Sequence, residues 1–196
     1  MKCDIILAGV GGQGVLSVAA IIARAAVEEG LNVRQSEVHG MAQRGGAVLA
    51  HLRIADTAIA SDLVPRGGAD LILSMEPLES LRYAAWLKPG QGKDGGGALV
   101  TAAEPLKNIP NYPDPEEIIK SLNSFPLCRI VETAALAKEA GLAKSVNMVM
   151  VGAASAFLPI GTETLKETIR KSFANKETAI AEANIKAFDL GRNAVK

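Results

Sequence analysis

Two clusters of glycine and polar residues are the places where this sequence could do chemistry. The first, Gly9-Val10-Gly11-Gly12-Gln13-Gly14, fits a G-x-G-x-x-G pattern between an apolar run and an alanine-rich segment. Glycines there permit a tight turn and a close backbone approach. The unpaired amides that open a following helix carry partial positive charge, so an anion such as a pyrophosphate suits the position. The competing reading is that the glycines simply let a helix pack on a strand. The second cluster, His39-Gly40-Met41-Ala42-Gln43-Arg44-Gly45-Gly46, sets polar side chains among glycines with no helical or strand period. Arg44 offers a planar fork to a phosphate or a carboxylate; a salt bridge on a surface turn is the alternative. A dinucleotide site would also need an acidic residue at the end of the second strand. That region reads Val33-Arg34-Gln35-Ser36-Glu37, with Glu37 late. The pattern is therefore better evidence for some phosphate-bearing ligand than for NAD(P).

Other polar residues each carry two readings. His39 suits a hydrogen bond to a ligand or the stabilisation of a turn. Glu76, before Pro77, sits where α/β folds present ligand groups at strand ends, and equally where a helix needs a cap. His51 lies between apolar neighbours and reads as structural, and Asn147 reads as a partner for a buried backbone group. Neither Cys3 nor Cys128 has a feature that marks a nucleophile, and no residue stands out as catalytic.

The elements that must position these groups follow from periodicity and punctuation. Cys3 to Val10 is a continuous apolar run that ends in glycines, which predicts a buried strand. Gly14 to Glu29 predicts a helix, largely buried because Ser17, Arg24 and Glu28 share one narrow stripe. Strands are expected at 31–38, 47–54, 69–75, 98–101 and 127–131. A helix opens at Pro77 and closes by Lys88-Pro89-Gly90. Another starts at Asp114-Pro115-Glu116-Glu117, with a capping Asp and Pro at the first helical position. The Pro-rich stretch 105–113 reads as a loop and 91–97 as a glycine-rich turn. Helices are expected at 134–140, 148–157, 162–173 and 176–193. Alternating strands and helices predict a three-layer α/β/α sandwich with a mainly parallel sheet and a Rossmann-like first βα unit. No helix separates the second strand from the third, so that pair should be antiparallel and the sheet mixed. One domain, 1–196, is expected, with a helical C-terminal part from about 132 to 196.

Composition narrows the function further. The 196 residues carry 21 basic and 21 acidic side chains, which gives nothing to steer a polyanion, so nucleic acid is not an expected partner. Two cysteines with no CxxC or Cys/His cluster argue against an iron–sulfur cluster, a zinc site or a disulfide framework, and point to a reducing cytoplasm. No metal site is expected. Met1-Lys2 leads straight into a short apolar run without the features of a signal peptide, and the apolar stretch 146–160 is interrupted by Asn147 and Pro159. No membrane association is expected. The hydrophobic fraction of 48% is high, which suggests a surface covered by a partner, or by a second copy when the chain is alone.

Four segments together carry a family resemblance. Gly9–Gly14 is followed by Glu37-x-His-Gly-Met-Ala-Gln-Arg-Gly-Gly46, then Gly68-Ala-Asp-Leu-Ile-Leu-Ser-Met-Glu76-Pro77, then Asn147-Met-x-Met-x-Gly152. In this order they resemble the gamma-type subunit or domain of 2-oxoacid:ferredoxin oxidoreductases. The Glu-x-His-Gly-Met form most resembles the indolepyruvate branch, where it is the beta subunit. The resemblance implies oxidative decarboxylation of an arylpyruvate to an acyl-coenzyme A with reduction of ferredoxin. Thiamine diphosphate, magnesium and iron–sulfur clusters would sit on a larger partner subunit, through which ferredoxin is reached, and this chain would be inactive alone. Gly92-Lys93-Asp94-Gly95 has only a superficial likeness to a thiamine Gly-Asp-Gly motif and lacks its Asn partners; a surface turn explains it. By the same resemblance, Gly11, Gly12, Gln13, Gly14, Gln43, Arg44, Gly45 and Gly46 would line the coenzyme A side of the shared cleft; the ligand readings of His39 and Glu76 would put those two near the substrate. A non-catalytic assembly module and an independent NAD(P)-binding oxidoreductase domain are the alternatives.

Overall fold

The computed structural model describes residues 1–39, 45–90 and 95–196. Among the described residues six strands form one sheet, in the order β2-β3-β1-β4-β5-β6, and seven α-helices cover it. The strands are β1 (Lys2–Val10), β2 (Asn32–His39), β3 (Ala47–Ala55), β4 (Leu71–Ser74), β5 (Ala98–Ala102) and β6 (Cys128–Val131). The helices are α1 (Val15–Glu28), α2 (Pro77–Arg82), α3 (Pro115–Leu122), α4 (Thr133–Glu139), α5 (Val146–Ala154), α6 (Thr162–Ser172) and α7 (Thr178–Asn193). β3 is antiparallel to both β2 and β1 and runs against the rest, so the sheet is mixed, as the missing helix between β2 and β3 requires.

Chain direction sorts the helices into layers. From β1 the chain goes by α1 to one side of the sheet, whereas β4, β5 and β6 step away on the other side. Right-handed crossovers then put α1 on one face and α2 and α3 on the opposite one. The strands accordingly bury side chains in both directions. Ile5, Leu7, Leu71, Leu73 and Val100 join the core under α1 and α5–α7, while Ile6, Ile72 and Leu99 join a smaller core under α2 and α3. This explains the apolar stretches Ile5–Ala8 of β1 and Leu71–Leu73 of β4. α1 shows Ser17, Arg24 and Glu28 to solvent, the stripe its sequence reserved for them.

α2 is shorter than its sequence suggests. It stops at Arg82, and Ala84–Trp86 form a 3-10 turn instead of continuing towards Lys88. The reason lies in tertiary contacts. Trp86 donates its indole N–H to the carbonyl of Val64 at 3.2 Å, stacks edge-on with Tyr83, and lies beneath the Arg66 guanidinium. Trp86 thus fastens the β3–β4 connection over the part of the sheet that α2 and α3 leave bare. Beneath that connection Asp4, fully buried in β1, receives two bonds from its ladder partner Arg53, which also donates to the carbonyls of Ser61 and Leu63.

His51 completes this fastening, because its Nδ1 accepts the Val64 N–H at 3.1 Å. Burial, reinforced by Arg53 and opposed by Asp62, holds the imidazole below the usual histidine range. The unfolded chain therefore takes up this proton first, and stability present above the ordinary histidine pKa is lost as pH falls below it. Thermal melts at pH 7.5 and 5.5 should show that loss. His51→Asn keeps an acceptor near the Nδ1 position without a titrating group and should flatten the dependence. Equal slopes in the two proteins would place the effect elsewhere.

Candidate functional site

The strand order reverses between β1 and β4, and the crevice outside the carboxyl ends of such strands is where open α/β sheets bind ligands. The G-x-G-x-x-G loop stands there. Gly12 and Gly14 have φ of 102° and 80°, a region that side chains disfavour, and Gly14 caps α1 without a side-chain bond. A Cβ on Gly14 would fall 2.2 Å from Nδ2 of Asn147 at the start of α5, so that side chain would have to shift. The first turn of α1 carries no acidic side chain to offset its amides.

Gln13 has a role that sequence did not reveal. Its Oε1 accepts the Val10 N–H at 2.8 Å and its Nε2 donates to the carbonyl of Met75 at 3.0 Å. The carboxamide clamps the β1 loop to the end of β4, across the switch point itself. The two glycine clusters, well separated in sequence, also meet. Gly11 N–H donates to the carbonyl of Gly46 at 2.8 Å, and Gly45 N–H donates to the carbonyl of Gly11 at 3.3 Å. Gln43 and Arg44 lie outside the described residues, as do residues 91–94 of the glycine-rich turn. His39 ends β2, its backbone opposite Val48.

On the β5 side of the loop lies a cleft of about 370 Å³, lined by Gly12, Gln13, Met75, Glu104, Lys144 and Asn147 among others. Glu104 is occupied there, with its two oxygens accepting from Thr133 Oγ1 and the Ala134 N–H at the start of α4. Lys144 brings a cation with no ion-pair partner among the described residues. Neither residue carried a signal in the sequence, because each is brought in by a different helix or strand end. Asn147 leaves its Oδ1 buried without a partner among the described residues.

Glu76 is 1% exposed, and its carboxylate serves the protein itself. Oε2 accepts the Glu79 N–H at 2.8 Å and caps α2, while Oε1 accepts from the Tyr112 hydroxyl and from the Leu106 N–H. Of the two readings of Glu76, the geometry displays the cap. The cysteines are buried or half-buried; burial first, and for Cys3 also Asp70 and Asp4, push the thiols up to about 12 at Cys3 and about 11 at Cys128. Neither is a thiolate at neutral pH.

A nicotinamide dinucleotide fits this frame poorly. The strand that bears its ribose-holding acid normally lies next to β1. Here β3 occupies that place, and Glu37 sits one strand further out. The model of the pyruvate ferredoxin/flavodoxin oxidoreductase family matches residues 4–194. The chain belongs to that family. Over 196 residues it is 38% identical to the indolepyruvate oxidoreductase subunit IorB of Archaeoglobus fulgidus, spanning 98% of this chain and 95% of that one. Among solved structures, the gamma subunit of a keto/oxoacid ferredoxin oxidoreductase from Geobacter sulfurreducens shares the fold at 23% identity, with a TM-score of 0.70 and 98% of each chain covered. The 2-oxoglutarate:ferredoxin oxidoreductase of Magnetococcus marinus, solved with 2-oxoglutarate, coenzyme A and succinyl-CoA, matches with a TM-score of 0.76 at 24% identity. This family member covers 99% of itself and 31% of that longer chain in the alignment.

Among the described residues of the oxidoreductase chain no three His, Cys, Asp or Glu side chains gather to hold a metal ion, and no helix is long and apolar enough to cross a membrane. A phosphate-bearing molecule is different, since Gly12, Gln13 and the Lys144 cation border one crevice.

Proposed function

We propose that this chain is the small subunit of an indolepyruvate (arylpyruvate) ferredoxin oxidoreductase and forms the coenzyme A side of a cleft shared with a larger subunit. The observation that carries this reading is the pairing of Gly11 with Gly45 and Gly46, which joins the two glycine motifs beside the start of α1, where Gly14 gives no side-chain cap. The similarity to an indolepyruvate oxidoreductase subunit over nearly the whole chain supports the branch. Thiamine diphosphate with magnesium and the iron–sulfur clusters, carried by the larger subunit, would supply the decarboxylation and the path of electrons to ferredoxin. Residues of this chain would do the rest. Amides of the glycine loop would take a phosphate, Arg44 would neutralise a phosphate or the substrate carboxylate, and Gln43 would border the same opening. Gln13 would keep the loop fixed to Met75 while the ligand enters. Such a subunit would work in the cytoplasm, without activity alone, and would pair with itself when the larger subunit is absent.

Arg44→Ala tests the reading. In the co-expressed complex, the KM for coenzyme A should rise on the order of ten-fold, the usual scale for a charge-assisted contact, with kcat little changed. Unchanged kinetics would remove Arg44 from the site. If loop substitutions weakened assembly and left the kinetics intact, the chain would be an assembly module instead.

A further inference from the structure

Residues 103–113 connect β5 to α3 as a strap across the carboxyl end of the sheet. It is anchored at both ends. Glu104 holds the start of α4, and Leu106 and Tyr112 both bond to Glu76. Between these anchors one more hydrogen bond ties the strap to another segment among the described residues: Asn108 Nδ2 donates to the carbonyl of Gly45 at 2.7 Å. Among the described residues no other side chain bonds to Gly45 or Gly46.

That contact matters because of what Gly45 touches in turn. Gly45 and Gly46 hold Gly11 through a two-way backbone exchange, and Gln13 ties the same loop to Met75. A chain of hydrogen bonds therefore runs from the strap through the double glycine to the G-x-G-x-x-G loop. Two successive glycines are the most freely moving pair a chain can contain, and Gly45 stands at a φ of 80° that its own backbone does little to enforce. A tether from outside is what keeps such a turn in one place. The tether is solvent-exposed, so it adds little to global stability; its effect is local order.

We propose that Asn108 is a positioning residue, fixing the Gly45–Gly46 turn against Gly11 and so setting where the glycine-loop amides meet the ligand. The inference rests on the coenzyme A reading of the cleft. Asn108→Ala removes the donor without adding a charge, and Asn108→Gln retains a donor on a longer arm. In the assembled complex, Asn108→Ala should raise the KM for coenzyme A on the order of five-fold, the worth of one hydrogen bond. The kcat and the KM for the 2-oxoacid should hold, and Asn108→Gln should lie nearer the parent. In the full chain alone, the Gly11 amide should exchange faster in Asn108→Ala, a change that a bystander on the surface would not produce. Two results overturn the proposal. If Arg44→Ala raises the KM for coenzyme A and Asn108→Ala does not, the positioning role fails and the cleft reading stands. If neither substitution moves it, the cleft reading fails and this inference with it.

Discussion

Gly152→Ala should destabilise the protein by about 3 kcal/mol or more, the upper range for overpacking a core. The cause is a reciprocal contact between α5 and α7. A Cβ on Gly152 would lie 1.9 Å from the carbonyl oxygen of Phe188, and one on Gly191 would lie 1.9 Å from that of Val149. Each helix thus presents a glycine to the backbone of the other. Neither obstruction is a flexible side-chain end, so relief requires the helices to separate. Separation is costly because α5 is buried along Met148–Ala154, and Phe188 of α7 is fully buried. Alanine would gain about 1 kcal/mol of helix propensity over glycine. The clash outweighs that gain, so the sign of the effect tests the packing and not the helix. Thermal unfolding should drop by about 6–12 °C for a chain of this size. Gly191→Ala should behave alike, and the double substitution should cost less than the sum, since one separation relieves both clashes. A loss within about 2 °C for either would mean that the two helices do not lie in backbone contact.

Why position 152 needs a glycine was not readable from its neighbours. The same limit runs through the whole chain. Local signals sufficed wherever an element is set by its own residues. β1 ends at its glycines, α1 exposes the stripe of Ser17, Arg24 and Glu28, and Asp114 caps α3 through the Glu116 N–H ahead of which Pro115 stands. The β2–β3 hairpin followed from the lack of a helix between them. Legibility failed where a partner arrives from far along the chain. Trp86 leaves the helical path to reach Val64; Gln13 reaches Met75; Asp4, inside an apolar run, is matched by Arg53 across the ladder. The site shows both kinds of result. Its glycines were visible because they are needed for local backbone reasons. Lys144, Glu104 and Asn108 were not, because only the fold brings them to the cleft and the glycine turn.

Glu76→Ala should come close to Gly152→Ala in cost, by another route. Its carboxylate is buried and satisfies three donors: the Glu79 N–H, the Leu106 N–H and the Tyr112 hydroxyl. Losing an N-cap costs about 1 kcal/mol, and hydrogen bonds to a charged group are worth roughly 1.5–3 kcal/mol, so about 3 kcal/mol is expected in total. Burial, then the bond to Glu76, pushes the Tyr112 phenol up, so the hydroxyl stays a neutral donor and its contact does not fail from the tyrosine side. The substitution releases the strap at two anchors, and the amide of Leu106 should lose its protection from exchange. Glu76→Gln keeps acceptor oxygen on one arm and should fall between the parent and Glu76→Ala in stability. This variant also separates the two roles open to the residue. If Glu76 touched the substrate, Glu76→Gln in the folded complex would depress kcat by orders of magnitude. As a cap and anchor, it should lower the melting temperature, raise the KM for coenzyme A as Asn108→Ala does, and leave kcat within a few-fold of the parent.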